Sequence, residues 1–388
     1  MSASEGWFTS TLAEVVAPDF PIGYGIVQPG PHVGAGIPMI AVRDLLDVAP
    51  ERLHRVAAPI EANYRRSRVS PRDVLISVKG TTGRIGIVPP GLRANISRDV
   101  ARLRLRADQV PEFWFQLLRS EGAQRVLEQA AVGTTRQELS IGTLRQLSFE
   151  YPSRAEQQLI AEILGDQDRL IQSMESLLSK KRMVKQGLMQ AVLSGRKRLP
   201  GFDIPWVSTR IGDAANIVKG QQLGRAAMLD RGTVPVWNGG VEPSGHTDKS
   251  NVRHMVVTVS EGGNSCGWIG RPPTGFWLGG HCYALTPTRP GLTVDFLYQV
   301  LKAREPEVMA LRVGSGLPNI QKKALSNFTI RIPKDAAEAD MIGIALGDAD
   351  REIDALERRL QASRLMKHGM MHELIAGRTR LKTMEFAA

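Results

Sequence analysis

Side chains able to do chemistry are scattered through this chain of 388 residues without the neighbours that chemistry needs. The string Arg271-Pro-Pro-Thr274 comes nearest to the Asn/Asp-Pro-Pro-aromatic turn of an adenine methyltransferase, but it lacks the amide or acid and the aromatic ring. Gly34-Ala-Gly36 stands without the strand and helix that a cofactor-phosphate loop requires. Asp73 and Lys79 flank a β-branched run, and no second acid stands near the lysine to hold magnesium for a nuclease. His368 and His372 are four apart, as zinc ligands on a helix are. No glutamate follows the first, however, and the matching positions 182 residues earlier are Gln186 and Gln190. A polar helix face accounts for them. Cys266 and Cys282, the only two cysteines, lack CxxC spacing and read as ordinary reduced thiols. What remains is a set of donor-rich loops, which suit binding rather than catalysis.

The partner those loops would meet is suggested by charge. Fifty lysines and arginines against 39 acids give a formal +11, with a pI near 9.9, and a basic balance of this size favours a polyanion. Residues 206–332 carry 14 basic against 8 acidic side chains, whereas 333–388 carry 9 against 10, so the final segment suits a protein neighbour better than phosphate. With 42% apolar residues there is enough chain for two or three cores. No apolar run reaches the length of a membrane span, and "MSASEGWFTST" lacks the basic and apolar regions of a signal peptide, which predicts a cytoplasmic protein with no membrane contact.

The elements that must position the loops are written twice. "KQGLMQAVLSGRKRLPGF" (Lys185–Phe202) returns as "KHGMMHELIAGRTRL" (Lys367–Leu381), and 16 identities at the single offset of 182 join Leu164–Leu199 to Leu346–Leu381. Upstream, Val132-Gly133 parallels Val313-Gly314, and "WFTSTLAE" from Trp7 parallels "WVSTRIGD" from Trp206. The chain is a tandem duplication. The first part of each copy is rich in Gly and Pro, with short β-branched runs such as "DVLISV" (Asp73–Val78), "ARLRLR" (Ala101–Arg106) and "MVVTVS" (Met255–Ser260). One helical stretch accompanies each, "EFWFQLLRSEGAQRVLEQA" and "VDFLYQVLKAREPEVMAL". A strand-rich α+β domain is expected.

The second part of each copy, 153–195 and 334–377, carries a sustained helical period. Leu164, Ile171 and Leu178 fall seven apart, with Ile160 and Met174 in the alternate seam positions; Leu346, Ile353 and Leu360, with Ile342 and Leu356, repeat the pattern. This spacing keeps one face apolar along a helix and favours a supercoiled partner. A small domain cannot cover such a stripe over its full length, so the two helices are expected to pair with each other, antiparallel, as a spacer. Gly195 and Gly377 end them, each followed by a basic cluster, "RKRL" and "RTRL", which would complement the helix dipole or bind phosphate.

The order of these parts, the "AEQQLIAEIL" opening of the first long helix after a "YP" turn, and above all "KQGLMQAVLSGRKRLPGF" resemble the specificity subunit of type I restriction–modification systems. The second copy departs from that pattern, with "AEADMIGIAL" in place of the "EQ" opening and no "PGF" turn after Leu381. The resemblance implies two target-recognition domains, 1–152 and 206–333, separated by a helix and turn at 153–205 and a helix and tail at 334–388, related by an internal pseudo-two-fold duplication. It implies a non-catalytic subunit that reads a bipartite, asymmetric duplex DNA site. Two adenine methyltransferase subunits would dock on it, with a restriction/translocase subunit where the locus has one. S-adenosylmethionine, and ATP with Mg, would then belong to the partners, and this chain would bind no cofactor. The competing readings are a DNA-reading subunit of another phage-defence or modification assembly, and a coiled-coil scaffold without DNA binding.

On that resemblance the inter-strand loops become candidate DNA contacts. In the first domain these are Lys79, Thr81, Thr82 and Arg84 of "KGTTGR", with Arg136 and Gln137 of "VGTTRQELS". In the second they are Lys219, Gln221, Gln222 and Arg225 of "VKGQQLGR", Asn264 and Ser265 beside Glu261 in "SEGGNSCG", and Asn319, Gln321 and Lys322 of "VGSGLPNIQKK". Plain turns and solvated loops are the competing readings for each. Arg102, Arg104 and Arg106 share one face of an alternating strand, opposite Leu103 and Leu105, and a solvated outer face is expected for them; Arg65, Arg66 and Arg68 pose the same choice between phosphate and solvent.

Overall fold

The computed structural model describes residues 6–133, 137–314 and 316–381. They form two compact units, one of residues up to 174 together with those from 359 on, the other of 175–358. In the first unit the elements run β1 (Phe8–Thr11), α1 (Leu12–Val15), β2 (Gly23–Tyr24), β3 (Ile37–Ile40), β4 (His54–Val56), α2 (Ala58–Glu61), β5 (Val74–Ser77), β6 (Ile85–Ile87), β7 (Asn95–Ile96), β8 (Val100–Leu103), α3 (Pro111–Arg119), α4 (Glu121–Ala130), α5 (Ile141–Gln146), β9 (Ser148–Tyr151) and the start of α6 (Arg154–Val192). The second unit continues with β10 (Val207–Arg210), α7 (Ile211–Ala214), β11 (Ala215–Lys219), β12 (Val234–Trp237), β13 (Gly245–Thr247), β14 (Val257–Ser260), β15 (Ile269–Gly270), β16 (Trp277–Leu278), β17 (Cys282–Pro287), α8 (Val294–Ala303), α9 (Glu305–Met309), α10 (Lys322–Asn327), β18 (Thr329–Ile332) and the start of α11 (Ala336–Leu374).

Sheet topology repeats strand for strand. The order β2-β8-β5-β6 is matched by β11-β17-β14-β15, β4-β3-β7 by β13-β12-β16, and β1-β9 by β10-β18. Registers match as well, with Ser77 opposite Val100 in one copy and Ser260 opposite Cys282 in the other. Alternation along the central strands decides what each face buries. Val74, Ile76, Ala101 and Leu103 join Phe113 and Trp114 of α3 in one core, while Leu75 and Val100 turn the other way to meet Ile40 of β3 and Ile96 of β7. Two glycines permit the close approach of chain segments after the first sheet strand of each copy: a Cβ on Gly25 would lie 1.8 Å from the Ile96 carbonyl oxygen, and one on Gly220 would lie 2.1 Å from that of Gly279.

The helical stretches foreseen after the sheets are each broken in two. Ser120 is extended (φ −67°, ψ 153°) and its hydroxyl accepts from the Ala123 amide, so it ends α3 and caps α4. In the second unit the break falls at Arg304, just before Pro306 in the first turn of α9.

The long helices are both continuous over 39 residues. In the first unit the start of α6 runs antiparallel to the end of α11: Lys367 Nζ donates to Asp168 Oδ1 at 2.6 Å, and the Ser363 hydroxyl approaches Met174 Sδ. In the second unit the end of α6 meets the start of α11 through Lys181 and Glu352 at 2.6 Å, Arg182 and Glu357 at 2.5 Å, and Lys185 with Asp350. Met174, Leu178, Ile353 and Leu360 of the predicted seam are buried, and Ile171 and Leu356 are half-buried. The remaining seam positions do a different job from the one expected. Ile160 and Leu164 enter the core of the first unit, and Ile342 and Leu346 that of the second, because the first turns of each helix lie on the domain that precedes them. The far end of the other helix closes the same cores, with Leu374 and Ile375 in the first unit and Val192 in the second.

Candidate nucleic-acid interface

The predicted loops gather at one end of the four-stranded sheet in each unit, where β5 or β14 ends and β8 or β17 begins. In the first unit Gly80 and Gly83 take the left-handed conformation (φ 79° and 80°), which folds Lys79–Arg84 into a tight turn. Ser77 fixes that turn, its hydroxyl donating to the Thr81 carbonyl at 2.5 Å and accepting from the Arg84 amide at 2.8 Å. Thr81 is exposed, and Thr82 and Arg84 are half-buried.

Two loops 50 or more residues apart in sequence then come together. Lys79 bridges to Glu138 across the backbone, the two side chains form an ion pair at 2.8 Å, and the Thr82 hydroxyl donates to Gln137 Oε1 at 3.2 Å. The second unit repeats the pinning, with Gly262 bridged to Asn319 as Lys79 is to Glu138, and Val313 to Asn319 as Val132 is to Glu138. Arg136 lies outside the described residues.

The candidate residues of the second unit differ in availability. Asn264 is exposed and forms no hydrogen bond among the described residues, whereas the Ser265 hydroxyl is committed to the Gly239 carbonyl at 2.5 Å. Lys219 is paired with Glu261 at 2.6 Å, and the same carboxylate oxygen accepts from the Tyr283 hydroxyl at 2.9 Å. Burial first, and then this contact, push the Tyr283 phenol up to about 12. Gln221 and Gln222 are exposed, with the Gln221 backbone clamped by the Leu278 carbonyl and the Trp277 indole, which leaves the amide side chains free to turn outward. Arg225 opens a single 3-10 turn at the surface. Asn319 is exposed, Gln321 caps α10 without using its side chain, and Lys322 stands exposed in the first turn.

Sequence reasoning passed over several groups here. Glu138 neutralises Lys79, and Val132 and Leu317 stand 77% and 83% exposed on the pinned segments, where an apolar side chain can meet a thymine methyl. An apolar residue inside a Gly-rich loop was the available signal.

The arginine-rich strand is a correction. Alternation held, but Arg102 is only 3% exposed rather than solvated: its guanidinium donates to the carbonyls of Arg66 and Arg68, each at 2.9 Å, under the segment that follows α2. Arg104 forms a two-pronged pair with Asp73 at 2.7 and 2.9 Å, and Arg68 another with the buried Glu61 at 2.6 and 2.7 Å, which holds the Glu61 carboxyl below the usual range. Arg106, paired with Asp108, stays exposed.

One arginine of each basic cluster after the long helices is likewise committed to structure, while Arg196 and Lys197 stand exposed. Arg198 grips the fully buried Glu338 at 2.7 Å with both prongs, and Arg380 grips Glu156 at 2.8 and 3.0 Å. These carboxylates sit in the first turns of α11 and α6, so each arginine serves the start of the other helix rather than the end of its own. Among the described residues, no three metal-ligating side chains converge, and no helix is long and apolar enough to cross a membrane.

Comparison with known proteins agrees with this architecture. A family model described as the type I restriction modification DNA specificity domain matches residues 62–180 and 204–363. The EcoBI type I restriction enzyme specificity subunit of Escherichia coli is 31% identical over 193 residues, 49% of this chain and 41% of that one. A type I specificity subunit of Mycoplasma pneumoniae is 26% identical over 171 residues, 44% and 45% of the two chains. The chain thus spans less than half the length of these curated relatives. The crystal structure of a type I restriction–modification S subunit from M. genitalium superposes with a TM-score of 0.76 over 96% of this chain and 99% of that one, and at 16% identity it speaks for the fold. With the family model covering both units and most of the chain, the protein belongs to the type I restriction–modification DNA specificity family.

Proposed function

We propose that the chain is a non-catalytic subunit that reads a split, asymmetric duplex DNA site, one half with each strand-rich domain, 1–152 and 206–333. The long helices would set the gap and dock two adenine methyltransferase subunits, with a restriction/translocase subunit where one is present. S-adenosylmethionine, and ATP with Mg, are assigned to those partners.

One observation carries this reading: the same scaffold, in the same register, presents two composite loop surfaces of different chemistry. Lys79, Thr82, Arg84 and Gln137 stand in one, and Gln221, Gln222, Asn264 and Asn319 in the other. Conserving a scaffold while varying its loops is what two different half-sites at a fixed separation require. The basic charge outside the last segment supplies the sequence-independent attraction to phosphate.

The test is a genome-wide map of methylated adenines with the gene present and deleted, followed by exchange of one strand-rich domain. Loss of one split motif on deletion, and a change in a single half on exchange, is the expected result. Identical maps in a cell that expresses the chain, or a swap that alters both halves together, would overturn it.

A further inference from the structure

Away from the loop surface, the first unit holds an open cleft of about 1020 Å3 between β2, the segment after α2, and the end of β8. Arg102 forms its floor. Among the described residues its guanidinium is satisfied only by carbonyl oxygens, those of Arg66, Arg68 and Pro21, and its buried Nε has no partner. Asp73, whose charge acts on Arg102, is taken up by Arg104. Burial pulls the Arg102 pKa down, as expected for a cation without a counter-charge in contact. At the mouth, Arg65 and Arg66 are exposed and form no ion pair among the described residues, Tyr24 is 54% exposed, and the Phe20 ring lies 4.2 Å from the Arg104 guanidinium.

The second unit shows that the scaffold does not need this charge. Matching registers place Ala284 where the first unit has Arg102, and Thr286 where it has Arg104. Val256, preceding β14, takes the place of Asp73, preceding β5, and a dry cluster of Val252, Val256, Phe276, Leu278, Cys282 and Ala284 fills the region. A buried, uncompensated guanidinium is costly, and apolar packing serves the same fold 182 positions later. The cost is offset if an anion enters the cleft.

We propose that this cleft binds backbone phosphate of duplex DNA, a sequence-independent hold that the first unit has and the second lacks. The proposal rests on the DNA-reading function above and adds to it an electrostatic inequality between the two half-sites. A guanidinium on the floor and two more at the mouth suit phosphate oxygens, and an opening with exposed arginines at its edge admits a continuous strand.

The test compares the full chain, with the subunits that co-purify with it, against the Arg65→Gln/Arg66→Gln variant. Both positions are exposed, so the fold should survive, and melting temperature checks that it has. Binding to two duplexes of unrelated sequence is titrated over a range of NaCl. The expected result is a slope of log K against log salt that is shallower by about one for each phosphate no longer neutralised, with an equal fall in affinity on both duplexes. An unchanged slope overturns the proposal, and so does a loss confined to one sequence, which would mean base reading. Adenosine monophosphate and inorganic phosphate are titrated alongside: tight binding of either, abolished in the variant while duplex binding is untouched, would make this a small-ligand site and also overturn it. Failure of the unaltered chain and its partners to bind any duplex would instead sink the DNA-reading function itself.

Discussion

Arg380 closes on Glu156, a residue 224 positions earlier, and the buried carboxylate also accepts from the Leu381 amide. Its duplicate, Arg198 on Glu338, adds the Trp206 indole as a third donor at 3.0 Å, whereas the buried Trp7 indole nitrogen of the first unit has no hydrogen-bond partner among the described residues. Each pair ties the turn after one long helix to the first turn of the other. Both arginines are held more firmly protonated by the carboxylate they grip. Replacing Glu338 by Gln keeps the shape and removes the charge-assisted bonds, which should cost about 1.5–3 kcal/mol in chemical denaturation. A midpoint equal to that of the parent would mean the pair does not hold the helix start.

Leu374 is 5% exposed and lies in the first unit's core beside residues of α3 and α6. Truncating it to Ala should destabilise that unit by about 2–5 kcal/mol. Amide hydrogen exchange would locate the effect: protection should fall in β5 and β8 and hold in β14 and β17. Equal loss in both units would contradict the division of the cores.

Glu138 commits its charge to Lys79. Glu138→Gln should therefore free a cation beside the loop surface, tighten binding to any duplex, and steepen the salt slope by about one. No change in slope would place Lys79 away from phosphate.

Gln221 is held on a clamped backbone in the second unit, with the exposed Gln222 beside it. If either pairs bidentately with adenine, Ala substitution there should cost about 1–3 kcal/mol of discrimination and relax one half of the methylation motif, leaving the other intact. Relaxation in both halves would contradict separate reading.

Burial pushes the Cys282 thiol from 9.0 up to about 12, and Tyr283 and Tyr298 from 10.0 to about 12. Each is raised in the folded chain, so its contribution is full below the unfolded value and is lost as pH rises through the folded one. Stability should decline from about pH 9 toward pH 12, followed by melting temperature. Cys282→Ala should lessen the first part of that decline, between about pH 9 and 10, where the tyrosines do not yet contribute and Cys266, also raised by burial, contributes as well. The thiol should also resist alkylation at pH 8 until the chain unfolds.

Much of the architecture is legible in the residues. The 182-residue offset, the β-branched runs that became β5, β8 and β14, and the helix ends at Gly195 and Gly377, both left-handed in the structure, follow from local pattern. Depth does not. Alternation told which face Arg102 shares but could not tell that the segment after α2 covers it. The pinning of Lys79 to Glu138 is a bridge between distant loops, and the partners of Arg198 and Arg380 lie 140 and 224 residues away, beyond any periodicity. The break at Ser120 was readable, since a serine with an acid following it is a common helix start, but the apolar stripe on both sides concealed it.

The core of the first unit draws on residues from both extremes of the described chain, Leu12 and Val74 on one side and Leu374 and Ile375 on the other. During synthesis the strands of that unit leave the ribosome first, yet Leu374 and Ile375, which complete their hydrophobic layer, and Arg380, the partner of Glu156, emerge only after the whole second unit. The second unit, made of 175–358, has all its parts earlier. Order of synthesis and order of completion are therefore reversed, and a nascent chain stalled before residue 374 should expose the first unit to proteases and chaperones while the second is already closed.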